Sequence, residues 1–163
     1  MATVVGLALG CDSSDTGEAG MTSTWPADAT KLVAEDIGNG LPGPVPAGSA
    51  CSYTGSGTYT FTPADLKLAW HICTSPGGQM PHQFVDAERI LSSSEAAMLG
   101  DALKAVTVSS GMKCGADKDL LRLKVTAPAG EKTYVDDFDA CQKPGVYVTN
   151  IDGVFSVSAK LAH

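Results

Sequence analysis

The chain has 163 residues, with 18 acidic side chains against 11 basic ones, a net charge of −7 and a pI near 4.7. That length fits one domain with room for a tail. The acidity excludes the basic stripe that a nucleic-acid surface requires and is read as serving solubility.

Ala2 to Gly10 (ATVVGLALG) is a short apolar run without charge. It is too short to cross a bilayer as a helix and has the character of the end of a secretory signal peptide. Leu7-Ala8-Leu9-Gly10-Cys11 resembles the lipobox of bacterial lipoproteins, with small Gly10 just before the cysteine. The resemblance implies cleavage before Cys11, lipid on its sulfur and residence in the cell envelope. The chain departs from the pattern in carrying Ala8 where the family usually has Leu, and in having no Lys or Arg before Cys11. The competing reading is a buried amino-terminal strand with a free thiol. Residues 1–10 are expected to be a signal-peptide remnant, 11–50 a flexible Gly/Pro/Ser-rich tether and 51–163 a single domain. The tether contains DSSDTGEAG from Asp12 and GNGLPGPVPAGSA from Gly38, stretches too poor in apolar area to offset their ordering entropy. Between them Ala29 to Ile37 is expected to form a short amphipathic helix using Leu32, Val33 and Ile37, and Trp25 is expected to dock on the domain.

In the domain, Thr58–Phe61 and Leu66–Ile72 read as strands joined by a turn at Thr62–Asp65. Leu66, Leu68, Trp70 and Ile72 alternate with polar residues, so that face is expected in the core. Thr74–Pro81 is a loop by its Pro and Gly content, and Phe84–Leu91 a third strand. Ser92-Ser93-Ser94-Glu95 has the form of a capping box. It opens a helix whose stripe is Met98, Leu99, Ala102, Leu103 and Val106, with Met98 as a core filler. Leu121, Leu123 and Val125 alternate with Arg122, Lys124 and Thr126. A turn at Ala127–Gly130 then returns the chain through Thr133–Phe138. A closing helix is expected from about Thr149 to Leu161.

Four cysteines, Cys51, Cys73, Cys114 and Cys141, lie in this patterned region, and an even set in an exported chain points to two disulfides. Three connectivities are open. Cys51–Cys73 with Cys114–Cys141 is favoured because each pair closes a local hairpin. The second would close a loop of about 28 residues, which in the chain-entropy model stabilises by roughly 3–4 kcal/mol. A thiolate metal site is the rival, but zinc ligands normally include cysteines two to four residues apart, and no two here are that close.

Catalytic patterns are scarce. His71, His82 and His163 belong to no metal-ligand spacing, and no P-loop, no GxGxxG fingerprint opening a helix and no GxSxG strand-to-helix elbow appears. A hydrolase using His71 or His82 is the weakest reading. Asp136, Asp137 and Asp139 form the densest charge cluster, read as a solvated face, with a calcium site as the alternative. Gly115, Ala116, Asp117, Lys118 and Asp119 form a polar loop just after Cys114. Clamped at its base, such a loop is preorganised for contact, which lowers the ordering cost of binding; a simple turn is the competing reading.

From Cys73 onward the chain resembles the Streptomyces subtilisin inhibitor family. The likeness is carried by Cys73, a helix, Cys114, LLRLKV, a Gly-containing turn, a Tyr strand, Phe138-Asp139-Ala140-Cys141 and Val154-Phe155, about half of the chain. It implies an exposed reactive loop clamped by the carboxy-terminal bridge, formed by Gly115, Ala116 and Asp117 with Ala116 as specificity residue. The chain departs from the family in that Cys51 precedes the strands and in lacking the family's Pro and its Met or Lys in the loop.

The expected fold is therefore α+β, an antiparallel sheet of four to five strands with two helices on one face and two disulfides. The expected function is that of a non-enzymatic, exported cell-envelope binding domain. It would be a monomer without a cofactor, meet an unidentified protein partner, and touch a membrane only through lipid on Cys11. The alternative is a subtilisin-type protease inhibitor.

Overall fold

The computed structural model describes residues 26–38, 44–109, 118–138 and 145–163. They form an α+β fold with one mostly antiparallel sheet and two helices. The strands are β1 (Lys31–Asp36), β2 (Gly57–Thr62), β3 (Lys67–Thr74), β4 (Gln83–Ile90), β5 (Thr107–Val108), β6 (Leu121–Ala127), β7 (Gly130–Asp136) and β8 (Val146–Thr149). The helices are α1 (Ser93–Lys104) and α2 (Ile151–Leu161). Across the sheet the order is β4-β3-β2-β1-β6-β7-β8-β5, and only β7–β8 pairs in parallel.

The eight strands correct the expected four to five. Two of the additional strands, β5 and β8, are two and four residues long, too short to show a period. The third, β1, corrects the helix expected over Ala29–Ile37. Leu32 and Ala34, at 1% and 0% exposure, alternate with less buried neighbours. Leu32 stands between Phe61 and Val125, and Ala34 between Tyr59 and Leu123. A strand hydrogen-bonded on both sides outweighs the modest helix preference of a nine-residue segment. Thus a stretch expected within the tether supplies a central strand. Trp25 lies outside the described residues.

Elsewhere most local signals are realised, although Leu66 precedes β3 and, like Trp70, is only half-buried where the core was expected. Ser92 Oγ accepts the Glu95 N–H at 3.3 Å while the Glu95 carboxylate accepts the Ser92 N–H at 2.8 Å, completing the capping box. The Ser92 N–H and the Ser92 hydroxyl, which donates to the same carboxylate at 2.9 Å, and then Arg89, hold the Glu95 carboxyl below the usual carboxylate range. Arg89 also donates to the Leu161 carbonyl at 3.0 Å, joining β4 to both helices. Leu99, Leu103 and Val106 are buried as the stripe predicts, whereas Met98 is 40% exposed and fills no core gap. The turn after β2 is a 3-10 turn at Pro63–Asp65, followed by Leu66 at φ 50°. Asn150, also left-handed, opens α2 and donates to the Ala105 carbonyl at 3.1 Å, tying the two helices end to start.

One face of the sheet is apolar. Leu32, Phe61, Leu68, Leu123, Val125 and Val148 join Leu99 and Leu103 of α1, and Ile151, Val154 and Phe155 of α2, in one core. The other face carries charges and hydroxyls, with cross-strand ion pairs Lys124–Glu35 and Lys67–Glu88 and a His71–Asp86 hydrogen bond. Cys51 and Cys73 are disulfide-bonded, as expected; Cys114 and Cys141 lie outside the described residues. Beside the bridge the chain folds back on β3, with Gly55 N–H on the Cys73 carbonyl and Cys73 N–H on the Ser56 carbonyl, both at 2.8 Å.

This close approach depends on Gly57, whose φ is 139° and where a Cβ would come within 2.0 Å of the His71 carbonyl oxygen. Gly57→Ala should cost roughly 2–4 kcal/mol in chemical denaturation. Gly55→Ala, at φ 93° but with open space around it, should cost only about 1 kcal/mol.

Candidate functional site

The β6–β7 hairpin is the platform next to the predicted contact loop. Leu121, Leu123 and Val125 are buried and alternate with half-exposed Arg122, Lys124 and Thr126. The two-residue turn Pro128–Ala129 sets Ala127 opposite Gly130. Of the five loop residues, Lys118 and Asp119 are described; Gly115, Ala116 and Asp117 lie outside the described residues, as do Cys11, Cys114, Cys141 and Asp139.

Both described flanks of the 110–117 segment are fastened to the sheet. On the leading side the Ser109 N–H donates to the Tyr147 carbonyl at 2.8 Å, and Ser109 Oγ donates to Asp137 Oδ2 at 3.1 Å. On the trailing side the Leu120 N–H donates to the Gly38 carbonyl and the Ile37 N–H to the Leu120 carbonyl, each at 3.1 Å, which prolongs the β1–β6 ladder. Lys118 adds a side-chain anchor. Its ammonium donates to Asp136 Oδ2 at 2.5 Å and to Asp152 Oδ2 at 2.9 Å, and lies 5.0 Å from the centre of the Phe138 ring.

Asp136 and Asp137 correct the solvated face expected of them, since they are 1% and 2% exposed. A carboxylate that deep needs partners. Asp136 has one on each oxygen, with Lys118 on Oδ2 and the Phe138 N–H on Oδ1 at 3.0 Å. The Asp137 carboxylate accepts from Ser109, and its own N–H donates to the Val148 carbonyl at 2.9 Å. Among the described residues no three His, Cys, Asp or Glu side chains converge as a metal-ligand set.

Electrostatics around the anchor run in two directions. Desolvation, the largest single influence on Lys118, pulls its ammonium down, but the hydrogen bonds and charges of Asp136 and Asp152 outweigh it and the net shift is upward. Asp36 is pushed up by desolvation and by the charge of Asp119, against the Gly38 N–H that donates to it at 2.8 Å. A carboxyl raised on folding favours the fold most at acid pH, and that contribution is lost as pH rises through its folded-state value. Asp36 and Asp119 thus oppose one another at neutral pH, a modest strain placed where the loop rejoins the sheet.

The histidines are not brought together. His71 Nδ1 lies 2.7 Å from Asp86 Oδ1 and its ring stacks on Phe84 at 4.1 Å, on the open polar face of the sheet. The His82 N–H donates to Ser49 Oγ at 2.9 Å, and the His82 carbonyl accepts the Ala50 N–H, so the residue braces the 46–50 turn. The partners Ser109, Phe138 and Asp152 were not singled out as functional in the sequence. They stand 9, 20 and 34 positions from Lys118, and only the acid in the first turn of α2 carries a local signal, complementarity to the helix dipole. Comparison with protein-family models, with curated proteins and with solved structures finds no match for this chain.

Lys118→Met strands the buried Asp136 carboxylate. Because the Lys118 side chain is 33% exposed, the loss is discounted from the fully buried case to about 2 kcal/mol. Adding Asp136→Asn should restore about half of it, giving a clear coupling in a double-mutant cycle of denaturation energies. Since the Lys118 pKa is raised on folding, its side of the pair contributes fully from neutral pH up to about pH 10.4. The gap between wild type and Lys118→Met should then close as pH rises through the folded-state value.

Proposed function

We propose that the protein is a non-enzymatic, exported binding domain of the bacterial cell envelope. It is held by lipid on Cys11 or released as a secreted form, and meets a protein partner through Gly115, Ala116, Asp117, Lys118 and Asp119. The observation that carries this reading is the fastening of both flanks of the 110–117 segment to the sheet. A segment fixed at both ends loses less conformational freedom on binding, so more of its contact energy is retained as affinity. In this reading Cys114 and Cys141 form the second disulfide. Lys118 and Phe138, four residues after one cysteine and three before the other, stand side by side with the ammonium 5.0 Å from the ring centre. Arms that short, at ~3.5 Å per residue, start close enough together to meet. No helix among the described residues is long and apolar enough to cross a membrane, and the proposed membrane attachment runs through the lipid alone.

The anchor is tested in a bacterial host by fractionation and intact-mass measurement of the full chain. Wild type should partition with membranes and carry lipid mass on Cys11, and Cys11→Ala should shift to the soluble fraction. Unchanged partitioning of Cys11→Ala would end the anchor reading.

A second reading is a subtilisin-type protease inhibitor with Ala116 as the specificity residue. It is favoured by the position of the anchor. Lys118, at the trailing end of the loop, is seated on Asp136 of β7 and Asp152 of α2, which would keep the loop in one shape when a protease engages it. Titration of subtilisin with the full chain should give stoichiometric inhibition at micromolar protein, weakened in Lys118→Met. Full protease activity at that concentration rules the reading out.

A further inference from the structure

Strand β4 is one edge of the sheet, with β3 as its sole neighbour among the described residues. It runs eight residues in unbroken register, from Lys67 opposite Ile90 to Thr74 opposite Gln83. The other edge, β5, is two residues long. Natural edges are usually guarded by shortness, bulges, proline or charge, and of these β4 has only charge, in Asp86, Glu88 and Arg89. β4 is long and unbulged and contains neither Pro nor Lys. Its apolar side chains are open to solvent, with Phe84 39%, Val85 43% and Ile90 62% exposed.

Phe84, Asp86, Glu88 and Ile90 share the polar face of the sheet, opposite Cys73, His71, Ala69 and Lys67. They read apolar, acidic, acidic, apolar in either chain direction. The carboxylates of Asp86 and Glu88 touch His71 and Lys67, yet their side chains remain 75% and 63% exposed. Arg89 offers no compensating charge on this edge, because it points to the helices, where it donates to Glu95 and the Leu161 carbonyl.

This pattern disfavours a second copy. Antiparallel self-pairing that keeps faces matched and uses nearly the whole strand must centre on Asp86 or Ala87. The first register sets Asp86 against Asp86 and the second sets Asp86 against Glu88 twice. Like charges directly opposite one another are destabilising. An incoming strand with basic residues at those positions meets the opposite situation.

We propose that β4 is a docking edge for an extended segment of a partner protein that carries two basic residues at alternate positions flanked by apolar ones. Main-chain hydrogen bonds to the open edge supply affinity, and Asp86 and Glu88 supply selectivity. Phe84 and Ile90 receive the apolar flanks, and Val85 offers a contact on the other face. The symmetric order of the four side chains admits the segment in either direction. This site is separate from the Gly115–Asp119 loop and does not depend on it.

The probe is an acetylated, amidated peptide, Thr-Val-Thr-Lys-Thr-Lys-Thr-Val-Thr, titrated into the isotope-labelled full chain and followed by amide shifts. A companion peptide has Glu in place of both Lys. The Lys peptide should shift the amides of Gln83–Ile90 saturably, with Kd at or below about 1 mM, and weaken with added salt. The Glu peptide should bind roughly three- to tenfold more weakly. Asp86→Asn with Glu88→Gln, both at exposed positions, should keep the fold and erase the difference between the peptides. Any of three results overturns the proposal: equal binding of the two peptides by wild type, no saturable shifts along β4, or self-association of the chain through β4 as its concentration rises.

Discussion

The fold depends on β1 being hydrogen-bonded along both edges. On one side stand β2, β3 and β4, a meander in which each strand pairs with the next. On the other stand β6, β7, β8 and β5. Among the described residues β1 is the sole connection between these groups within the sheet. The Thr30 and Ile37 amides carry its ladder beyond the strand itself, to Thr126 and Leu120. Leu32 and Ala34 then fall on the same face as Phe61 and Leu123, which makes the apolar surface continuous beneath both helices. A sheet divided at β1 would leave two narrow apolar strips, neither wide enough to bury α1 and α2 together.

The two described flanks of the 110–117 segment are held by this arrangement. The trailing flank of the 110–117 segment is held by an extension of the β1–β6 ladder, and the leading flank by β8. Asp136 gives the site an electrostatic seat, because a buried carboxylate with an acceptor free would be costly and Lys118 is the cation that satisfies it. The position of Lys118 is therefore set by a penalty for leaving as much as by an attraction. The docking edge at β4 lies at the far side of the sheet, five strands from β7 in the strand order, so the two surfaces face different surroundings.

How much of this was legible follows from the range of each interaction. The Ser92–Glu95 cap, the β6–β7 hairpin and α2 depend on contacts within a few residues, and their patterns could be read directly. Cys51–Cys73 closes a local segment and was also foreseeable. β1 was misread because Leu32, Val33 and Ile37 fit a helical stripe as well as a strand, and the deciding partners are at Phe61 and Val125. The burial of Asp136 and Asp137 was hidden for a related reason. Consecutive acids look solvated unless the Ser109 and Lys118 that meet them are known to be near. Met98 shows the converse case, a residue on the right stripe but at its rim.

The central place of β1 also bears on how the polypeptide is made. Residues 31–90 contain β1 to β4 and emerge from the ribosome first. The second edge of β1 then waits for residues 121–127, with Thr30 and Thr126 separated by 96 positions. Closure over such a distance is slow relative to local pairing, and an unpaired apolar strand is prone to aggregate in the interval. Completion of the amino-terminal half is thus timed by the arrival of the carboxy-terminal half, so truncation before residue 127 would leave a sticky half-sheet instead of a smaller folded unit.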